Sequence, residues 1–241
     1  MQLSTPADEG LTAIDPRQLT PDALRAALRR PQAWKVALPL ERDPRYPERE
    51  GDTVMAAVLI ALIARPEGVF VILTERASHL REHGGQVSFP GGRIEPSDAS
   101  DEAAALREAH EETGMPQTHV EVLGRMPAYV TATGFSITPV VALVQPGFDY
   151  HVDAFEVAEV FEVPLEFLMD PHNHREHRVD MPDGRSRHYF SMTWKRFFIW
   201  GATAAMLRNV YFMLQHAQVA TRSATVSSAC ASVGLEAPGA A

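Results

Sequence analysis

The residues best placed to do chemistry lie in "REAHEETG", Arg107 to Gly114, where Glu108, Glu111 and Glu112 sit between an arginine and a glycine. Positions three and four apart share a helix face, so on a helix the three carboxylates project to one side within a turn. Leu106, Ala109 and Thr113 then belong nearer the opposite, buried side. Carboxylates are favoured in the first turn of a helix and disfavoured in the last, where the dipole is negative. Here they crowd the C-terminal end. Two readings are open: a solvated acidic stripe, which is what most charge runs are, or a site whose repulsion a cation offsets. Hard divalent cations take oxygen ligands, and Mg²⁺ pairs with one or two carboxylates plus substrate phosphates. The loop ahead favours the second reading. "SFPGG" ends in Gly91-Gly92, which lets backbone N–H groups approach a ligand closely. A glycine-rich loop leading to an acidic helix suits a polyphosphate with bound metal, although a glycine pair by itself is most often a turn.

The elements that must position these residues can be read outward from them. The acidic helix is expected from about Asp98 to Thr113, closed by Gly114 with Pro116 beyond. Before the loop, Val54 to Ala64 and Val69 to Thr74 read as strands around the turn "RPEG". After the helix, strands are expected in "VEVLGRMPAYVT" and "SITPVVALV", then a short apolar stretch at "EVFEVP" and a short helix at "LEFLMD". Asp183-Gly184 is a strong turn signal and predicts a second hairpin in "HRVDMPDGRSRHYFSM". A last helix runs from about Trp200 to Gln218, with Trp200, Ala204, Leu207, Val210, Tyr211 and Leu214 at core-packing spacing. At the other end, Thr20 and Pro21 read as N-cap and first position of a short helix. The charged, proline-bearing "LERDPRYPEREGD" after it reads as a linker. This divides the chain into an N-terminal helix and linker (1–48), a main domain (49–218) and a tail (219–241) expected to be disordered. Strands with few helices point to an α/β domain with a mixed sheet flanked by helices.

Composition narrows the class of function. The 241 residues are 45% hydrophobic and 22% charged, an ordinary soluble balance. A net charge of -9 supplies no overall basic footprint for nucleic acid. The polar, acidic N-terminus lacks the pattern of a signal peptide, and the longest apolar run, Val54 to Ala64, is too short to span a bilayer. The lone Cys230 excludes an intrachain disulfide and any CxxC metal site, and a cytoplasmic setting is the simplest expectation. His172, His174 and His177 in "DPHNHREHR" invite a zinc reading, which is set aside because the segment reads as a loop with no cysteine near.

From Gly92, "GRIEPSDASDEAAALREAHEETGM" resembles the Nudix box: a glycine, an acidic residue, then Arg-Glu, an apolar residue, Glu-Glu and a glycine. The tail of that pattern falls on Arg107, Glu108, Ala109, Glu111, Glu112, Gly114 and Met115. The spacing from Gly92 to Arg107 is one residue longer than in the commonest form, which leaves the early acidic position open between Asp98 and Glu102. That insertion is familiar from the coenzyme A pyrophosphatase branch. Upstream, "LTERASHLREHGGQVSFPGG" resembles the signature of the same branch at Leu73, Thr74, Arg76, Ala77, Arg81, Gly85, Phe89, Pro90, Gly91 and Gly92. Later segments extend the likeness over roughly residues 50 to 215.

The resemblance implies a Nudix-like α/β/α sandwich, with a mixed β-sheet between helices. It also implies metal-dependent hydrolysis of coenzyme A or its thioesters to adenosine 3′,5′-bisphosphate and 4′-phosphopantetheine or its acyl derivative. Hydrolysis of another nucleoside diphosphate derivative, such as ADP-ribose, and a non-catalytic nucleotide-binding scaffold are the alternatives. Mg²⁺ or Mn²⁺ would be held by Glu108, Glu111 and Glu112, with Glu111 open between ligand and base. Arg107 is assigned the orienting of a catalytic glutamate ahead of clamping phosphate. Glu156 and Glu159, in a later segment, are further candidates for a base or ligand. Arg76, Arg81 and Arg93, with Gly91 and Gly92, are expected to bind substrate phosphates, while Phe89 packs to fix the loop and His83 stands near it. The expected partner is coenzyme A or an acyl-CoA, without nucleic acid or membrane, and a homodimer is left open.

Overall fold

A computed structural model describes residues 2–7, 10–29, 53–80, 83–131, 133–180, 184 and 186–232. The chain opens with β1 (Gln2–Pro6) and α1 (Pro21–Leu28); the Thr20 side chain accepts the Ala23 N–H, as an N-cap does. A hairpin follows, β2 (Val54–Arg65) and β3 (Gly68–Arg76), then two short strands, β4 (Val87–Ser88) and β5 (Gly91–Arg93). Next is α2 (Asp101–Thr113), capped at its start by the Ser100 hydroxyl and ended by Gly114 in the left-handed region at φ 70°. β6 (Val120–Arg125), β7 (Tyr129–Val130), β8 (Phe135–Val144) and β9 (Val157–Pro164) precede a single turn, α3 (Leu165–Leu168). The last elements are β10 (Arg175–Asp180), β11 (Ser186–Trp194), β12 (Phe197–Trp200) and α4 (Gly201–Ser232).

The main sheet has eight strands in the order β4-β3-β2-β8-β6, with β5 on β2, β7 on β8 and β9 on β3. β2 and β8 run parallel from Val54 opposite Phe135 to Ile63 opposite Val144, while the other pairs are antiparallel, so the sheet is mixed. A parallel pair needs a long crossover, and α2 lies within it. Alternation along β2 divides the core. Ala57, Leu59, Ala61 and Ile63 pack with Ala104, Ala105 and Ala109 of α2. Val58, Ile60 and Leu62 belong to the cluster that contains Leu207, Val210, Tyr211 and Leu214 of α4. A strand covered on both faces needs no polar side chain, which is why "VMAAVLIALIA" reads as an unbroken apolar run. The alanines of α2 let that helix lie close to the sheet.

Three expectations change. The predicted hairpin forms as β10 and β11, but it builds a second, antiparallel sheet in the order β1-β10-β11-β12. His177 lies in β10 rather than in a loop. The N-terminal segment is not separate from the core: Ile14, Leu19, Leu24 and Ala27 are buried in the α4-side cluster, and the Tyr211 hydroxyl donates to the Thr12 carbonyl at 2.8 Å. The stretch read as a linker, 40–52, lies outside the described residues. The last helix does not stop at Gln218. It continues to Ser232, so residues 219–232 are helical rather than a disordered tail. Alanine recurs through this stretch, which has no proline and no glycine before Gly234, so nothing local breaks the helix. Residues 233–241 lie outside the described residues. Among the described residues no helix is long and apolar enough to cross a membrane.

Candidate active site

Arg107 is the hub of the acidic cluster. Its Nε donates to Asp98 Oδ1 and its Nη2 to Asp98 Oδ2, both at 2.9 Å. Nη1 donates to Glu108 Oε1 at 3.0 Å and Glu111 Oε2 at 3.2 Å, and Nη2 to the Arg93 carbonyl at 3.2 Å. A guanidinium with its fork engaged in this way orients carboxylates and has little left with which to clamp phosphate. The early acidic position is thereby decided: Asp98 lies ahead of the helix and takes Arg107, whereas Glu102 is inside the helix and pairs with Arg125 at 3.1 Å. The Arg107 hydrogen bonds hold the Asp98 carboxyl down at about 2.

The three glutamates are not equivalent, contrary to a shared acidic face. Helical rotation of 100° per residue places Glu112 close behind Glu108 and carries Glu111 to their other side. Glu112 is buried, its side chain 3% exposed, while that of Glu111 is 58% exposed. Glu112 Oε2 accepts the Gly91 N–H at 3.1 Å, and its Oε1 lies 3.7 Å from Arg76 Nη1. Burial pushes the Glu112 carboxyl up to about 8; the Gly91 N–H and Arg76 oppose this, and the charges of Glu108 and Glu156 add to it. Glu108 is also raised, again chiefly by burial, with Arg107 opposing and Glu111 and Glu156 adding.

β5 explains why this loop is glycine. A Cβ at Gly92 would lie 2.5 Å from the Glu108 carboxyl carbon, and one at Gly91 would lie 2.4 Å from the Ala57 carbonyl oxygen. The strand can thus run against the carboxylates only without side chains. The donor set fits a hard divalent cation: two half-buried or buried carboxylates, each raised chiefly by burial, with Glu108 adding to the shift of Glu112 and Glu156 acting on both. Among the described residues no three His, Cys, Asp or Glu side chains stand together as a preformed metal cage. The expected trio is therefore not assembled, because Glu111 is turned outward and held by Arg107. Two carboxylates suffice where waters and phosphate oxygens complete the shell.

On the other side of the glycine pair is a cavity of about 430 Å³, with Gly91, Gly92, Arg76, Arg93 and His83 on its rim. Phe89 is buried beneath it, as expected of a residue that fixes the loop. Arg76 and Arg93 thus meet at the site, with the Arg93 guanidinium over the Phe135 ring at 5.8 Å. Arg81 lies outside the described residues. Glu156 is tied into the site by its carbonyl, which accepts the Ala77 N–H at 2.8 Å, while Glu159 pairs with Arg196. His174 is buried, hydrogen-bonded to the Leu168 carbonyl and to Arg208; His177 is buried against Ser191, and His172 is exposed beside Asp170. The sequence reading missed that Trp200, Ala202, Thr203 and Met206 wall the cavity. No local signal marks them, because they reach the glycine loop only through the corner between β12 and α4.

A family model described as the NUDIX domain matches residues 53–182. A protein of Enterobacter sp. (strain 638) called uncharacterized Nudix hydrolase NudL is 45% identical over 156 residues, covering 64% of this chain and 80% of its own length. A protein of the same name from Escherichia coli (strain K12) is 42% identical with the same coverage. Among solved structures, a Nudix hydrolase from M. smegmatis, RenU, covers 47% of this chain and 72% of its own at 26% identity and a TM-score of 0.41.

Proposed function

The chain belongs to the Nudix family, and from that premise we propose that it hydrolyses the pyrophosphate bond of coenzyme A or its thioesters. As a Nudix hydrolase of the pyrophosphatase type it is an enzyme, and Nudix enzymes generally use divalent ions such as Mg²⁺ or Mn²⁺. The observation that supports the narrower substrate is the 3.7 Å approach of Arg76 to Glu112. It joins the upstream motif, read as specific for coenzyme A, to the glutamate helix at the point where the diphosphate has to lie.

Glu108 and Glu112 would hold the metal, with Gly91 and Gly92 leaving room for it and for phosphate oxygens. Bound there, a divalent ion neutralises phosphate oxygens and lowers the pKa of water. Arg107, anchored on Asp98, fixes the rotamer of Glu108. Arg76 and Arg93 face the diphosphate from the cavity rim. Glu156 is the general base: it acts on both Glu108 and Glu112, whereas Glu111 and Glu159 are engaged by Arg107 and Arg196. Water adds to one phosphorus, its proton passes to Glu156, and the bridging P–O bond breaks to release the second phosphate.

Product identification tests this directly. Incubation with coenzyme A and Mg²⁺ or Mn²⁺ should yield adenosine 3′,5′-bisphosphate and 4′-phosphopantetheine, and none when the metal is chelated. Cleavage of ADP-ribose alone would retain the glutamate chemistry and remove the coenzyme A assignment.

A further inference from the structure

The cavity behind the glycine pair lies on the α4 face of the sheet. Its wall residue Val58 belongs to the α4-side cluster, whereas the neighbouring Ala57 packs under α2. Metal carboxylates and cavity are therefore separated by little more than the backbone of Gly91 and Gly92. A diphosphate lying over those glycines sends one of its two organic arms into the cavity. The far wall comes from Trp200, Ala202, Thr203 and Met206, all beyond residue 182, where the family match ends.

The wall's polar groups are largely committed. The Thr203 hydroxyl donates to the Val87 carbonyl at 3.0 Å, and the hydroxyls of Thr74 and Ser88 pair at 3.1 Å. Thr131 and Thr133 pair at 3.0 Å, and the His83 ring pairs with Gln86 at 3.0 Å. The rest of the lining is the guanidinium pair Arg76 and Arg93 beside the glycines and, beyond them, a mostly apolar wall with Val58, Phe135, Ile137 and Met206 prominent. With Arg76 and Arg93 given to the diphosphate, the described residues of the wall beyond them offer the edge of an adenine and a 3′-phosphate few partners, and leaving polar groups unpaired is costly. The hydrocarbon end of an acyl-pantetheine arm meets no such cost, methionine adapts to its shape, and the two amides and hydroxyl of the stem are uncharged, unlike a 3′-phosphate.

We propose that this cavity takes the acyl-pantetheine arm of a coenzyme A thioester, and that Ala202 and Met206 at the start of α4 set the acyl length accepted. The proposal rests on the coenzyme A reading above. It makes the C-terminal helix, which lies outside the matched catalytic region, the specificity wall of the enzyme.

The test is a thioester series (free coenzyme A, acetyl-, butyryl- and octanoyl-CoA) on the full chain and two variants, each checked for folding by thermal melt. Ala202 is only partly buried, so Ala202→Phe narrows the cavity with little disturbance of the core, while Met206→Ala deepens it. The ratio of kcat/KM for octanoyl-CoA to that for free coenzyme A should fall about tenfold in Ala202→Phe and rise severalfold in Met206→Ala. Inhibition by adenosine 3′,5′-bisphosphate should be unchanged in both. An unchanged ratio in Ala202→Phe, or a rise in the bisphosphate inhibition constant, overturns the assignment and puts the adenosine half in the cavity or both arms outside it. Failure of the wild-type enzyme to cleave coenzyme A or any thioester instead removes the underlying reading, and this inference with it.

Discussion

Glu112 is the residue on which the site turns, because it combines burial with the charges of Glu108 and Glu156. Its carboxyl rises from 4.5 to about 8 in the metal-free protein. The folded state therefore holds the proton more tightly than the unfolded chain. The stability this contributes is complete below about pH 4.5 and is lost as pH rises through about 8. Melting of the metal-free enzyme should accordingly fall between these limits. Glu112→Gln should flatten that fall and melt higher than wild type at about pH 8, while its turnover drops by orders of magnitude. Equal melting profiles in chelator would remove this account of Glu112. Asp98 has the opposite sign: its lowered carboxyl contributes stability above its ordinary value, which is lost only as pH falls toward about 2. Asp98→Asn at neutral pH should thus leave the fold intact but loosen Arg107, lowering kcat about 10- to 100-fold. A kcat within twofold of wild type would show that Arg107 orients Glu108 without it.

At the scale of elements, β5 and α2 approach through two glycines with different neighbours. The Gly92 Cβ position is blocked by the Glu108 carboxyl, the far end of a flexible side chain; that of Gly91 is blocked by the backbone of Ala57 and Val58. The two substitutions should separate function from stability. Gly92→Ala should melt near wild type yet displace Glu108 and weaken Mn²⁺ binding tenfold or more, as titration calorimetry can measure. Gly91→Ala requires a strand to move and a left-handed φ of 151° to be kept, and should cost about 1–3 kcal/mol in urea unfolding. A reversed order would mean that the α2 acids do not sit against β5 in solution.

At the scale of the whole molecule, the N-terminal segment is part of the core on which the cavity stands. Leu24 is 1% exposed and shares a cluster with Leu207 and Tyr211. Leu24→Ala should cost about 2–5 kcal/mol in chemical denaturation, and a loss below 1 kcal/mol would make α1 a loose appendage rather than part of the core. The sequence leaves the role of α1 open because its local signals, Thr20 and Pro21, report where a helix begins and not what it packs against. By itself the sequence determined the acid motif, the glycine loop, the buried strand β2 and the mixed sheet, because helix and strand periods, caps and turn residues act over a few neighbouring positions. Only the tertiary structure decided which acid Arg107 holds, that Glu112 is buried while Glu111 faces solvent, and that the start of α4 walls the cavity. Each depends on burial or on contact between residues distant in the chain, and desolvation and long-range proximity are set by packing rather than by local order.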